Sequence, residues 1–239
     1  MTERGRGHVQ RTARQFVVGR SQLAWDGQAL VIEVDERGAP WPQRVFGRVR
    51  VHPQGLSRFV TPLDDAGRHR WGPIAPCARV EVDLPWPGLR WSGSAYLDSN
   101  EGDEPIEQAF AQWDWMRFTP PGGGCQVVYD VQTRSHNHRL TSVAFAPDGS
   151  VRDVPPGPLH TLPPTRWWRI ARAARLPAEQ VRVVRTLEDT PFYSRSLLEL
   201  RPPGASPEPV RAVHESLDVA RLTSAWVQRL LPFRMPRTA

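Results

Sequence analysis

The sequence predicts an all-β protein, and three observations carry that prediction. The 25 prolines and 18 glycines favour short strands and many turns over long helices. Apolar and polar residues alternate over short runs, the period-two signature of a half-buried strand. Hydrophobic residues make up 39% of the 239-residue chain, enough for one large β domain or two small ones with a true core.

Residues 15–18 and 22–25 read as the first strands. The Asp26-Gly27 turn then leads into 29–35, where Leu30, Ile32 and Val34 alternate with Val31, Glu33 and Asp35. Residues 44–52 repeat the alternation, with Val45, Gly47, Val49 and Val51 on one face. The Pro85-Trp86-Pro87-Gly88 turn separates a strand over 78–82 from one over 89–96. Residues 103–112 are the best helix candidate. Strands over 113–118 and 126–131 flank a turn at 120–124, and a third, 139–145, ends at Pro147-Asp148-Gly149. Residues 155–164 read as a linker or surface crossover. Further strands are expected within 167–200 and 210–233, on either side of a 202–209 loop.

Composition narrows the function classes. The formal charge is +6, yet all 31 basic residues are arginine, and they are scattered among acids, as in 182–189. No phosphate-binding track results, and nucleic acid is not an expected partner. Cys77 and Cys125 are too few for a disulfide framework and point to a reducing compartment. No run of about 18 apolar residues is present and the first residues lack an apolar export segment, so neither membrane spanning nor export is expected. Without a GxSxG, P-loop or GxGxxG motif, no nucleotide or dinucleotide cofactor is expected.

The densest polar and aromatic constellation lies between His69 and Asp130. In extended chain, His69 and Trp71 share a face, as do Tyr96 and Asp98, because strand side chains alternate. Leu89, Trp91, Ala95 and Leu97 then take the opposite face. The bland reading of Asp98 is a turn former, since Asp98-Ser99-Asn100-Glu101-Gly102 is good turn chemistry. As a calcium loop the same stretch fails, because Gly102 stands where an oxygen ligand is needed. His136 and His138 suggest a metal only weakly, with no partner ligand, and no metal is expected. Of the ten tryptophans, Trp25, Trp91 and Trp226 are assigned to the core, whereas Trp71, Trp113 and Trp115 flank the polar cluster. Aromatic faces can hold a carbocation, and an apolar pocket keeps a carboxyl group protonated. Those are the requirements for protonating an unactivated alkene.

At this point a family resemblance enters. Tyr96-Leu97-Asp98-Ser99-Asn100-Glu101-Gly102-Asp103-Glu104-Pro105, followed by Trp113-x-Trp115, resembles the signature of carotenoid 1,2-hydratases. Segments 1–5, 67–76, 183–193, 214–217 and 231–236 are similar as well. The resemblance implies tandem lipocalin-like β barrels, with 1–105 the end of a first, incomplete barrel carrying the site and 106–239 a second. It implies a cofactor-free hydro-lyase that adds water to the terminal C1–C2 double bond of acyclic carotenoids such as neurosporene and lycopene. Asp98 is then the proton donor, with Tyr96, His69 and Trp71 as its partners, and Trp113, Trp115 and Tyr129 as substrate-binding residues. Because that substrate lives in the bilayer, a peripheral contact with a bacterial membrane from the cytoplasmic side is expected. The alternatives are a non-catalytic carrier of a hydrophobic isoprenoid and a structural β domain.

Overall fold

The computed structural model describes residues 5–38, 42–176, 180–201 and 209–231. The expected 202–209 loop lies outside the described residues apart from Pro209, as do residues 1–4 and 232–236 of the resembling segments. Strand pairing is antiparallel throughout, so the all-β expectation holds. The first sheet contains β1 (Val9–Arg11), β2 (Gln15–Val18), β3 (Ser21–Trp25), β4 (Leu30–Arg37), β5 (Arg44–Pro53), β6 (Thr61–Pro62), β7 (His69–Trp86) and β8 (Leu89–Gly102). Its order is β1-β2-β3-β4-β5-β7-β6, with β8 also paired to β7.

After the one-turn helix α1 (Ile106–Ala109), the second sheet begins with β9 (Phe110–Phe118), β10 (Cys125–Thr133), β11 (His138–Phe145) and β12 (Val151–Asp153). A separate hairpin follows, β13 (Leu159–Leu162) and β14 (Arg172–Arg175). The chain then returns through β15 (Gln180–Asp189), β16 (Tyr193–Arg201) and β17 (Val210–Asp218), giving the order β12-β11-β10-β9-β17-β16-β15. Two short helices, α2 (Val219–Leu222) and α3 (Ala225–Leu230), end the described chain. Among the described residues no pairing closes either sheet into a barrel.

Three apolar clusters hold this arrangement. One belongs to the first sheet and gathers Val51, Ala75, Ala78, Val80 and Val82. Another lies between the second sheet and the β13–β14 hairpin, where Leu162, Ala174 and Leu176 meet Met116, Phe118, Val128 and Leu198. The third is shared: Leu63, Trp71 and Cys77 from the first half pack on Phe110, Trp115, Val127 and Tyr129 of the second sheet. This shared core fixes the site, because β7 and β8 present one face to it.

Several expectations need correction. The helix expected over 103–112 is confined to α1, because Phe110 already pairs with Thr133 and the chain is taken into the sheet. The 155–164 linker contains β13, whose four residues pair with β14 to cover the second sheet. The 219–230 stretch is helical rather than strand-like. Asp218 caps α2 by accepting a hydrogen bond from the Arg221 amide at 2.9 Å, and Val219 and Val227 fill the core. The turn reading of Asp98 also fails, since β8 continues to Gly102 against His69. Trp25, Trp91 and Trp226 are not core residues, being 39%, 53% and 47% exposed. Trp91 lies beyond the first sheet's cluster, and Trp226 stacks on Trp168 at the surface.

Candidate active site

β7 and β8 bring the signature residues together by register. Pro73 opposes Asp98, Trp71 opposes Asn100 and His69 opposes Gly102. Irregularities between Pro73 and Ala75 and between Ala75 and Ala78 re-aim the side chains of this half of β7, as bulges do. The Trp71 indole donates from Nε1 to Asp98 Oδ2 at 2.9 Å, and the Tyr96 hydroxyl donates to the same oxygen at 3.1 Å. Neither bond uses Oδ1.

The second sheet supplies the facing wall. Trp113 and Trp115 alternate on β9, and Tyr129 on β10 pairs with Trp115. Tyr129 meets the Trp71 ring edge-on at 5.6 Å, and Tyr96 tilts against Trp115 at 5.4 Å. Asp98, Tyr96, Trp113, Trp115 and Tyr129 all line one cavity of about 400 Å³. The rest of its lining comes from Asn100, Arg117, Leu187, Arg195, Val213 and Glu215. A larger groove of about 600 Å³ on the first sheet is bordered by arginine–carboxylate pairs such as Arg44–Asp35 and Arg48–Glu33. Without an aromatic wall around a part-buried, hydrogen-bonded acid, it does not have the chemistry of the smaller cavity.

His69 is placed differently. It lines a neighbouring cavity of about 330 Å³ with Gly102, Glu104 and Phe110, and this cavity shares Asn100, Trp113 and Tyr129 with that of Asp98. Its ring is buried against Phe110, its Nε2 lies 3.9 Å from Glu104 Oε1, and that nitrogen has no hydrogen-bond partner. The structure thus gathers Tyr96, Trp71, Trp113, Trp115 and Tyr129 around Asp98 and sets His69 in the neighbouring cavity.

Electrostatics keeps the phenols neutral. Burial, then the charge of Asp98, pushes the Tyr96 hydroxyl well above the usual phenol range. Burial does the same to Tyr129, with Asp98 and Glu215 adding to it. Tyr96 is therefore a proton-bearing donor to Asp98 at any physiological pH. Both cysteines are free and buried, and burial pushes the Cys125 thiol up to about 12.

One trio among the described residues, Asp64, His69 and Glu104, brings potential metal-ligand atoms within 4.8 Å of one another. Its two carboxylates already have protein partners: Asp64 accepts from the His69 amide at 3.3 Å, and Glu104 pairs with Arg68 at 2.5 Å. His138 pairs with Asp130, and His136 occupies a positive-φ position, so these two histidines do not converge. Arg195 and Glu215 escaped the sequence reading. They come from β16 and β17, and only Glu215 lies in a resembling segment, 214–217.

Fold and site together define an all-antiparallel β protein with a doubly hydrogen-bonded carboxyl group in an aromatic cavity. The chain belongs to the carotenoid hydratase CrtC family, whose model matches residues 1–239. It is 50% identical to the acyclic carotenoid 1,2-hydratase of Rubrivivax gelatinosus, over all of this chain and 58% of the relative. The Thiocapsa roseopersicina protein of the same name is also 50% identical, over 99% of this chain and 58% of its own length. The Rhodobacter capsulatus protein is 36% identical and is covered over 84% of its length. The chain thus spans 58% of the first two relatives. No solved structure gives a significant match.

Proposed function

We propose that this chain carries the active site of a carotenoid 1,2-hydratase, a hydro-lyase that adds water across the terminal C1–C2 double bond of an acyclic carotenoid such as neurosporene or lycopene. The observation that carries this reading is the pair of donors on a single oxygen of Asp98. With Oδ2 accepting twice, the proton of the neutral acid rides on Oδ1. Its transfer to C2 leaves a tertiary cation at C1 and a carboxylate whose new charge falls on an oxygen already held by two N–H and O–H groups. Such bonds strengthen as charge develops, which favours the transition state over the ground state. The rings of Tyr96, Trp113 and Trp115 offer their negative faces to the cation, an attraction effective within about 6 Å of a ring centre.

The proton that water releases needs an acceptor, and His69 and the Asp98 carboxylate are the two groups to weigh. His69 lines the neighbouring cavity, and Asp98 must end each cycle protonated. Every step is proton transfer and water addition, so no redox or phosphate cofactor is required. A lipocalin-like carrier would need the aromatic wall but not two donors on one carboxyl oxygen. The test is Asp98→Asn expressed in lycopene-producing cells. Loss of the product heavier by one water, in a protein that still melts cooperatively, is expected. Near wild-type hydration would refute the acid.

The same reading extends to a peripheral membrane contact from the bacterial cytoplasm. Among the described residues no helix is long and apolar enough to cross a membrane. Trp167 is 75% exposed beneath the Arg166 guanidinium, a cationic and aromatic pairing suited to an interface. Leu187 is both exposed and part of the Asp98 cavity, which gives an apolar chain end a route inward.

A further inference from the structure

Hydration also needs an acceptor for a proton. Water that captures the C1 cation becomes a protonated alcohol, which must lose a proton before the product is stable. The cavity of Asp98 contains a second carboxyl group, Glu215. It stands on β17, opposite Trp115 on β9 and Arg195 on β16, and so on the face that carries the aromatic wall. Arg195 donates from Nε to Glu215 Oε1 at 2.9 Å, and its guanidinium also lies 5.8 Å from the centre of the Tyr193 ring. The Glu215 side chain is 24% exposed, so water reaches it.

The two carboxyl groups have opposite surroundings. Asp98 accepts from two neutral donors, whereas Glu215 is paired with the guanidinium of Arg195. Both groups also push the phenol of Tyr129 upward, which puts that hydroxyl within electrostatic reach of each. An arginine-paired carboxylate is a weak base, but a protonated tertiary alcohol is a far stronger acid than any carboxylic acid. A weak base is sufficient.

We propose that Glu215 is a second catalytic residue, which orients the attacking water and takes its proton. This rests on the hydratase reading and adds its missing half. The O–H bond of Asp98 breaks as the C2–H bond forms, and the π electrons leave C1 cationic. The oxygen of water bonds to C1 and its surplus proton passes to Glu215. Before the next turnover that proton returns to Asp98 through water in the cavity, so each cycle consumes one water and restores both groups.

The experiment is hydration of lycopene by the 239-residue chain in heavy water, with deuterium followed in both product and recovered substrate. For Glu215→Gln, hydration should fall by about 100-fold, within the usual range for losing a general base. Recovered lycopene should gain deuterium at its end groups, because a cation that water captures slowly returns a proton from C2. Glu215→Asp, which keeps the charge, should hydrate at an intermediate rate with the same exchange, and Asp98→Asn should neither exchange nor hydrate. Wild-type hydration by Glu215→Gln, or a folded Glu215→Gln protein that neither exchanges nor hydrates, overturns the proposal while leaving Asp98 as the acid. Normal hydration by Asp98→Asn overturns the underlying reading and this proposal with it.

Discussion

At Asp98, the two hydrogen bonds are unequal in what they can be asked to do. Trp71 is wholly buried in the shared core and cannot be removed without a cavity, whereas Tyr96 is only partly buried and can lose its hydroxyl alone. Tyr96→Phe keeps the ring against Trp115 and removes one donor worth about 1.4 kcal/mol to a developing charge. A roughly ten-fold drop in kcat with little change in KM is expected. A fall in KM-dependent binding alone would instead make Tyr96 a substrate contact. Gly102 is a second sensitive position, since an added Cβ would stand 2.7 Å from His69 Nδ1. Gly102→Ala should displace the His69 ring and lower the melting temperature, and His69→Ala in the same chain should relieve part of that loss. Chelation is expected to leave activity unchanged, measured after exhaustive dialysis. A loss restored by a divalent ion would mean that Asp64, His69 and Glu104 act as ligands.

Buried acids with raised pKa values also set the alkaline limit. The folded Cys125 thiol keeps its proton up to about 12, whereas the unfolded chain releases it at the ordinary thiol value of 9.0. Above pH 9 the native state therefore binds more protons than the unfolded state, and this contribution to stability is lost as pH rises towards 12. Tyr96 and Tyr129 act in the same direction. Thermal melts followed between pH 8 and 11 should show a falling midpoint, and a flat profile would indicate that these groups are hydrated in solution.

Among the elements, legibility followed locality. β2, β5, β10 and β11 were readable because their alternation is complete within the strand and their turns are marked by Gly, Pro and Asp. Tyr96 and Asp98 were placed on one face by the same period. What the pattern could not supply was length. β7 runs for 18 residues where only 78–82 was expected, because its register with β8 absorbs Pro73, Pro76 and Pro85 at bulges and ends. Residues 103–112 look helical in isolation and lose that contest to the pairing of Phe110 with β10. Glu215 was invisible for a related reason: its partners Arg195 and Trp115 lie on neighbouring strands that only topology makes adjacent.

Across the whole molecule, the exposed aromatics form a surface as well as a packing failure. Trp168 stacks on Trp226 with ring centres 5.6 Å apart, and the Trp167 and Trp168 amides both bond Asp189, two residues from Leu187 at the cavity. Replacing Trp167 and Trp226 by alanine should weaken sedimentation with anionic lipid vesicles while leaving the melting temperature nearly unchanged. Unaltered vesicle binding would move the membrane contact elsewhere.

The long β7–β8 hairpin has a further consequence for how the protein opens. Around Trp71, Cys77 and Tyr96 it is packed on one face by the shared core, while Ala75, Ala95 and Leu97 are packed on the other. Towards its tip, Trp86, Leu89 and Trp91 are all exposed. Local opening costs least where few apolar contacts must be broken. Amide hydrogens near residues 84–92 should therefore exchange with solvent deuterium much sooner than those near 71–78 and 95–98, although one continuous ribbon carries both. Breathing of the tip and of the outer strands beside it would then leave Asp98 and its two donors closed in a protein already loosened at one end.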